Sequence, residues 1–249
     1  CRFKELKKTL FDACKNDYIK YVDLLTRKTV EKDGLVYVLD EPNKTAGVYQ
    51  VKSTDGEIFI PRSIFFESEE FNVTAIIENS FYCQNKVKSV KFADDSKIHY
   101  IDKNSFNSCS IEHITFPSTV NFIGQMAFFH CSQLKSVTFS EDSELESFGQ
   151  SAFSLSSLES INIPPRLKCI EKSCFYRCYK LKNIEISKNS QLKKIEEKAF
   201  AETWLEKIDL PSKIISINEG VFDNCTSLKK ITIPPSVVEI KRYAFRGCK

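Results

Sequence analysis

The sequence predicts an α/β repeat solenoid: a right-handed superhelix of short parallel strands with helical or 3₁₀ turns, capped at its N-terminal end by a helical and β segment. A small residue followed by phenylalanine recurs eight times, at spacings of 22, 23 or 25 residues. Short alternating apolar segments recur with it, and the chain has 20 phenylalanines but only seven glycines. Such periods are typical of stacked repeats, none of which buries its apolar side alone.

The first segment, residues 1–34, is predicted to be helical. Two sets of apolar residues follow helical spacing: Phe3, Leu6, Leu10 and Cys14, then Tyr18, Val22 and Leu25. The break between them at Asn16 and Asp17 indicates two short helices. The segment also bears a faint resemblance to the helical hairpin that opens an ankyrin repeat, although the TPLH-type turn and a second copy are missing.

Residues 35–80 are predicted to form one or more irregular capping repeats. They contain three strand-like runs, LVYVL, GVYQV and EIFIP, and the stretch from Ile58 to Pro61 echoes the strands of the later repeats. About nine residues around FFESEEF are inserted before the first clear repeat. Terminal repeats are commonly atypical because one of their sides meets water.

Residues 81–249 are predicted to form the solenoid proper, in which turns of 25 and 22 residues alternate. The repeated phenylalanines are Phe81, Phe106, Phe128, Phe153, Phe175, Phe200, Phe222 and Phe245. Each turn continues into an alternating segment such as SVKF, SVTF or KITI, and these segments predict seven short parallel strands. Proline closes the strand in the 22-residue turns, whereas a polar loop replaces it in the 25-residue turns.

A second apolar pair, three residues apart, follows the strand of each turn, as in Val120 and Ile123 or Leu167 and Ile170. It predicts a second short extended piece. The stretch that contains the motif phenylalanine, such as EEKAFAET, is predicted to be helical or 3₁₀. Stacking of the turns would then place the phenylalanines in one column through the core.

The string AFxxCxxLxxIxIPxxVxxI, best represented by VFDNCTSLKKITIPPSVVEIKRYAF, resembles the BspA-like branch of the leucine-rich repeats. The resemblance covers residues 76–249, and Ser156 and Thr203 stand where the family pattern has cysteine. It implies a leucine-rich-repeat-like solenoid of the kind found in surface antigens and adhesins, which contact host cells, matrix or other microbes.

Ten cysteines raise the question of disulfides and metal binding. The repeat accounts for seven of them: Cys109, Cys131, Cys178, Cys225 and Cys248 three residues after the phenylalanine, Cys83 two residues after it, and Cys174 in the small-residue position. The spacing predicts a buried column of compact apolar fillers. Free thiols are favoured, although Cys109 and Cys131 would lie close enough for a disulfide. Because there is no CxxC pair and no HxxxH, no metal or other cofactor is predicted.

The sequence offers little for catalysis. Of the three histidines, His130 adjoins Cys131, but neighbouring residues point apart and no third group is placed to orient the pair. None of the motifs GxGxxG, GxxxxGK[ST], GxSxG and HExxH occurs. The chain is therefore predicted not to be an enzyme, and a thiol-dependent enzyme is the alternative from another functional class.

Side chains that alternate with the buried strand positions are predicted to form an outward row that binds a protein partner. The row consists of Lys91, Thr115, Thr138, Asn162, Glu185, Asp209 and Thr232. Nucleic acid is not expected as a partner, because 36 basic and 33 acidic residues give a net charge of only +3. No apolar run is long enough to insert into a membrane, and a monomer is expected.

Two locations are compatible with this binding module. The family resemblance implies a cell-surface or secreted antigen or adhesin that contacts host or neighbouring-cell proteins through its strand-lined face. The alternative is an intracellular, cytoplasmic scaffold for protein–protein interaction, which ten cysteines without a clear disulfide pattern would favour.

Overall fold

In the computed structural model of the protein, residues 28–53 and 55–249 are described. These residues form twenty β-strands and no helix. The strands are β1 Thr29–Lys32, β2 Leu35–Asp40, β3 Thr45–Val51, β4 Glu57–Ile60, β5 Ser63–Phe66, β6 Glu69–Ile76, β7 Ser89–Phe92, β8 Tyr100–Ile101, β9 His113–Thr115, β10 Phe122–Ile123, β11 Ser136–Thr138, β12 Ser147–Phe148, β13 Ser160–Ile163, β14 Cys169–Ile170, β15 Asn183–Ile186, β16 Lys194–Ile195, β17 Lys207–Asp209, β18 Ser216–Ile217, β19 Lys230–Thr232 and β20 Glu239–Ile240.

Eight parallel strands, which we call the face sheet, run along one side of the stack in the order β4, β7, β9, β11, β13, β15, β17, β19. The seven predicted repeat strands are confirmed, and the EIFI segment joins them as β4. Val90 pairs with Ile58 on one side and Ile114 on the other, so the inward side chains stay in register. This register fixes which side chains face outward.

A second sheet forms another side of the stack. Its path is β1, β2, β3, β6, β8, β10, β12, β14, β16, and β5 pairs with β6. Strands β8, β10, β12, β14 and β16 are the predicted second extended pieces, and β18 and β20 continue the pattern as a separate pair. The inserted stretch FFESEEF forms the antiparallel hairpin between β5 and β6, whose turn residues Glu67 and Ser68 have positive φ.

The motif phenylalanines form a continuous stacked column, as predicted. The seven successive pairs of ring centroids from Phe81 to Phe245 are 4.5 to 5.8 Å apart. From Phe81 to Phe222 the rings are completely buried, and stacked rings of this kind contribute packing energy beyond the burial of their area. The column therefore lies at the centre of the core.

The predicted helical or 3₁₀ conformation of the turns is wrong. Every turn contains two residues in the left-handed region, located two residues before and two residues after the motif phenylalanine. In the EEKAFAET stretch these are Lys198 and Glu202, with φ of 55° and 56°. A right-handed helix needs φ near −60° at every residue, so it cannot continue through these two positions.

Hydrogen bonds between turns explain why this conformation is retained. The Phe153 N–H donates to the carbonyl of Cys174 on the next turn at 2.9 Å, and the Phe175 N–H donates to that of Ala199 at 2.8 Å. An α-helix would direct these donors back along its own segment instead. Each turn thus satisfies its backbone through its neighbour, and local helix propensity is overridden.

The predicted N-terminal helical segment requires a second correction. Residues 1–27, which carry the two predicted helices, lie outside the described residues. Within the described part, Thr29–Lys32 is a strand that pairs antiparallel with β2. The β-branched residues Thr29 and Val30 suit a strand, and β2 offers its edge to them.

An alternating row of charges, which we call the charge ladder, lies directly before the strands of the face sheet. Its members are Lys88, Glu112, Lys135, Glu159, Lys182, Glu206 and Lys229. The backbone N–H of each later member donates to the carbonyl of the one before it, at 2.8 to 3.1 Å. One pair, Lys135 and Glu112, also forms an ion pair at 3.2 Å. Neighbouring turns therefore present opposite charges to each other.

Candidate protein-binding face

The predicted outward row is exposed along its whole length. All seven side chains face solvent, namely Lys91, Thr115, Thr138, Asn162, Glu185, Asp209 and Thr232. The strand register aligns Thr115 with Thr138, and Asp209 with Thr232. Neighbouring parallel strands lie about 4.8 Å apart, so the row is a regular array of side chains on a hydrogen-bonded support.

A second outward row runs parallel to the first, one pleat away. It consists of Glu57, Ser89, His113, Ser136, Ser160, Asn183, Lys207 and Lys230, aligned by the same register. Uncharged polar residues occupy its middle, and lysines occupy its C-terminal end. The two rows together present mixed polarity.

Several contacts tie these side chains to one another. Lys91 Nζ lies 2.9 Å from Glu57 Oε1, and this hydrogen bond holds the pKa of the Glu57 carboxyl below its usual range. His113 Nδ1 lies 2.7 Å from Ser136 Oγ, and the Thr232 hydroxyl donates to the Asp209 carboxylate. Such contacts order individual side chains along the face.

Phe59, which was not predicted as a site residue, lies on the outward row. Phe59 aligns with Lys91, and 57% of it is exposed. The stretch from Ile58 to Pro61 carried the signal, because its echo of the repeat strand already assigns Phe59 to an outward position. The row therefore begins with a large apolar side chain at its N-terminal end.

Two exposed aromatic residues at the edge of the face, Tyr179 and Trp204, were also not predicted as site residues. Tyr179 and Trp204 lie four residues after the motif phenylalanines of consecutive turns, and 45% and 47% of them are exposed. Small or polar residues occupy this position in the other turns that lead into face strands: Asn85, Ser110, Ser132, Ser157 and Thr226. This departure from the repeat was readable in the sequence.

Most of the predicted cysteine column is buried, namely Cys109, Cys131, Cys174, Cys178 and Cys225, and Cys248 is half-buried. The prediction is wrong for Cys83, which occupies the left-handed position two residues after Phe81 and is exposed. Hydrogen bonds hold the column in place. The Sγ atoms of Cys131, Cys178, Cys225 and Cys248 lie 3.0 to 3.2 Å from the carbonyl of the motif phenylalanine one turn earlier. Cys109 and Cys131 are both free, so no disulfide joins them. Ser156 and Thr203 interrupt the column, and their hydroxyls lie 3.4 and 3.3 Å from the next cysteine sulfur.

Burial makes these thiols poor nucleophiles. It raises the pKa of Cys109 and Cys225 to about 11 and that of Cys178 to about 12, and it raises the pKa of Cys131 and Cys174 further. Because the thiolate is the reactive form, these cysteines are largely inert near neutral pH.

We expect residue-resolved alkylation to separate Cys83 from the column. At pH 8, iodoacetamide should label the exposed Cys83 in the native protein, whereas Cys131 and Cys178 should stay unlabelled until urea unfolds the chain. Mass spectrometry of the digested protein measures each site, and a Cys83→Ser variant identifies the fast signal. Rapid native labelling of Cys131 would show an accessible thiolate and support the thiol-enzyme alternative.

Neither a metal-binding cluster nor a membrane-spanning helix is present in the described ranges, 28–53 and 55–249. No group of three or more His, Cys, Asp or Glu side chains is arranged there to hold a metal ion. None of the described residues forms a helix long and apolar enough to cross a bilayer.

The family comparison agrees with the geometry of the stack. The sequence profile described as "BspA type Leucine rich repeat region" matches in six copies, over residues 62–182 and 146–249. Comparison with curated protein sequences gives no match.

Three crystal structures have a similar fold. A leucine-rich cell surface protein from Faecalibacterium prausnitzii A2-165 has a TM-score of 0.59 and 21% identity, over 83% of this chain and 54% of its own. The pneumococcal vaccine antigen PcpA has a TM-score of 0.58 and 19% identity, over 84% and 71%. The leucine-rich repeat protein TpLRR of T. pallidum has a TM-score of 0.64 and 19% identity, over 86% of both chains. At these identities the similarity establishes the fold alone.

Proposed function

Because this chain belongs to the BspA-type leucine-rich-repeat family, we propose that it is a protein-binding repeat module. Its outward row from Lys91 to Thr232, with the parallel row beside it, is the proposed contact surface for a protein partner. The module acts by binding as a monomer, without cofactor and without catalysis. The observation that carries the proposal is a regular, exposed array of varied side chains on an invariant stacked core.

The size of the array supports this proposal. Eight face strands at about 4.8 Å spacing extend over more than 30 Å. An interface of standard size needs about 800 Å² from each partner, which a face of this length can supply. The core residue between the rows is valine or isoleucine on every face strand, whereas the outward residues differ in size and charge, so recognition can vary without loss of the fold.

We further propose a cell-surface or secreted location, with an antigen or adhesin role toward host or neighbouring-cell proteins. Support comes from two proteins of similar fold, one described as a cell surface protein and one as a vaccine antigen. The chain spans 54% of the length of the Faecalibacterium protein, so any activity of a whole protein of that size is part of the proposal.

A second candidate is the same binding module inside a cell. Seven of the eight cysteines among the described residues are free and favour it, because thiols persist in reducing compartments and tend to be oxidised outside them. The eighth, Cys169, is disulfide-bonded, so the expectation of free thiols is wrong at this position, and this bond favours an oxidising compartment instead. Deep burial protects five of these thiols in either location, namely Cys109, Cys131, Cys174, Cys178 and Cys225.

Replacing four residues of the outward row should weaken partner binding while the fold stays intact. We expect the variant with Lys91, Asn162, Glu185 and Asp209 changed to alanine to raise the dissociation constant about tenfold, which is about 1.4 kcal/mol. The partner is first captured from extracts by the immobilised chain, and its affinity is then measured by biolayer interferometry. Thermal unfolding should stay close to wild type, because all four side chains are exposed.

A matched control removes the same residue types from exposed loops away from the face: Lys188, Asn189, Glu141 and Asp142. It should keep the wild-type affinity. Equal affinities for the wild-type chain and the face variant would remove the outward row from the binding surface.

A further inference from the structure

Positive charge is concentrated on one edge of the face. We define the edge strip turn by turn. On each turn it begins at the fourth residue after the motif phenylalanine and ends at the first residue of the face strand that follows. Over its first four turns, residues 85–89, 110–113, 132–136 and 157–160, three lysines and two glutamates give a net charge of +1. Over its last three turns, residues 179–183, 204–207 and 226–230, five lysines and one glutamate give +4.

The lysines of these last three turns are unpaired. They are Lys180, Lys182, Lys207, Lys229 and Lys230, and all are exposed. In the part of the chain that the structure describes, none of their ammonium groups has a carboxylate within ion-pair distance, whereas Lys91 and Lys135 do. Their charge is therefore available to a partner.

The two exposed aromatic residues lie within the same three turns. Tyr179 begins the strip on one turn, and Trp204 begins it on the next. Tryptophan, tyrosine and arginine are enriched among the residues that carry most of the energy of protein interfaces. Here the aromatic side chains are exposed where the other turns have small or polar residues.

A set of hydrogen bonds braces this part of the surface. The Glu202 carboxylate accepts a bond from the Tyr176 hydroxyl at 2.9 Å and another from Arg177 Nε at 3.0 Å, and the Tyr179 hydroxyl lies 3.5 Å from it. The Arg177 guanidinium lies 4.9 Å from the Tyr176 ring centroid. The charges of Glu202 and Arg177 compensate each other, so this pair does not offset the positive charge of the neighbouring lysines.

We propose that the last three turns of the edge strip bind an acidic, extended segment of a protein partner. Carboxylates of the segment pair with the five lysines, and an apolar side chain of the segment packs on Trp204 and Tyr179. Strands about 4.8 Å apart and peptide residues about 3.3 Å apart allow a short extended segment to span the three turns. This inference deepens the proposed protein-binding function and rests on it, because the strip borders the outward rows at Asn183, Lys207 and Lys230.

Trp204 provides a local probe, since it is the single tryptophan of the chain. We expect a 12-residue peptide of alternating glutamate and serine with one central leucine to shift the Trp204 emission to shorter wavelength in a saturable titration. The same peptide with lysine in place of glutamate should cause no shift. Added salt should weaken the binding of the acidic peptide, because salt screens the attraction between exposed charges.

Two triple variants with equal loss of charge test the location. The first variant combines Lys180→Gln, Lys207→Gln and Lys230→Gln. It should raise the dissociation constant of the acidic peptide about tenfold. The control changes Lys86, Lys88 and Lys135, on the first turns of the same strip, to glutamine and should keep the wild-type affinity. All six lysine side chains are exposed. Equal thermal unfolding temperatures of the wild type and the two variants verify that all three proteins are folded.

Three outcomes would overturn the proposal: no saturable shift with the acidic peptide, equal weakening by the two triple variants, or a shift with heparin but not with the peptide. The last would assign the strip to a sulfated polysaccharide. These failures differ from failure of the proposed function, which the outward-row variant tests by partner capture. If that variant loses the partner while the peptide leaves Trp204 unchanged, only the edge-strip inference fails.

Discussion

The Phe153→Ala variant is expected to lose about 3–5 kcal/mol of unfolding free energy, the largest effect of any single change considered for this chain. Phe153 is completely buried in the middle of the phenylalanine column. Its ring stacks on Phe128 at 5.3 Å and on Phe175 at 5.5 Å, and it meets Phe148 edge-on at 5.3 Å. Alanine would remove all three contacts and leave a cavity that the hydrogen-bonded turns cannot close.

Urea unfolding followed by circular dichroism measures this loss. The control is Phe65→Ala, at a phenylalanine that is 62% exposed on the β5 hairpin, and it should cost less than about 1 kcal/mol. Because each turn contacts only its neighbours, the cavity should also weaken coupling between the two halves of the stack and broaden the transition. Equal losses for the two variants would mean that the column does not hold the core together.

The second large effect is expected from Gly149→Ala, which should cost about 2–3 kcal/mol. A Cβ at Gly149 would lie 2.6 Å from the backbone nitrogen of Gln125 and 2.6 Å from the carbonyl carbon of Gly124. Backbone atoms of the preceding turn cannot move aside as a flexible side chain can. The Gly149 N–H also donates to the Ile123 carbonyl at 2.8 Å, which holds the two turns at this separation.

Gly56→Ala is the matched control, because a Cβ there would meet its nearest atoms at the ordinary distances of 3.7 and 3.8 Å. Thermal and urea unfolding of the two variants should differ clearly. Wild-type stability of Gly149→Ala would show that the turns separate easily, contrary to the close packing of the stack.

The periodic part of the fold could be predicted from the sequence because the repeat constrains it. The phenylalanine spacing gives the column, and the alternation in segments such as SVKF gives the face strands with their inward and outward sides. The cysteine column follows from the same spacing, since Cys131 and Cys178 occupy equivalent positions in their turns. In each case one physical requirement, burial against the neighbouring turn, acts on every copy.

The conformation of the turns could not be predicted in this way. The residues around Lys198 and Glu202 have good helix propensity, but their backbone bonds go to the next turn and both adopt left-handed φ. Thr29–Lys32 also takes its backbone partners from another strand, β2, and here the β-branched residues agree with that pairing. Propensity describes an isolated segment, whereas a solenoid turn is never isolated.

For the candidate site, the sequence predicted which strand positions face outward, but not which side chains distinguish one turn from another. Alternation assigned Asn162 and Glu185 to the outward row, and the structure exposes both. A repeat pattern describes what the turns share, so it did not indicate Phe59, Tyr179 and Trp204. Side chains that distinguish one turn from another carry the specificity, so they are found by asking where the pattern is broken.

The charge ladder has a consequence for how such a chain can change its length. Removing the single turn that carries Glu159 would bring Lys135 beside Lys182, and removing one that carries Lys182 would bring Glu159 beside Glu206. Like charges on adjacent strands repel, whereas loss of two consecutive turns restores opposite neighbours. Duplication or deletion in units of 47 residues therefore preserves the pattern, whereas a change by one turn places like charges on adjacent strands.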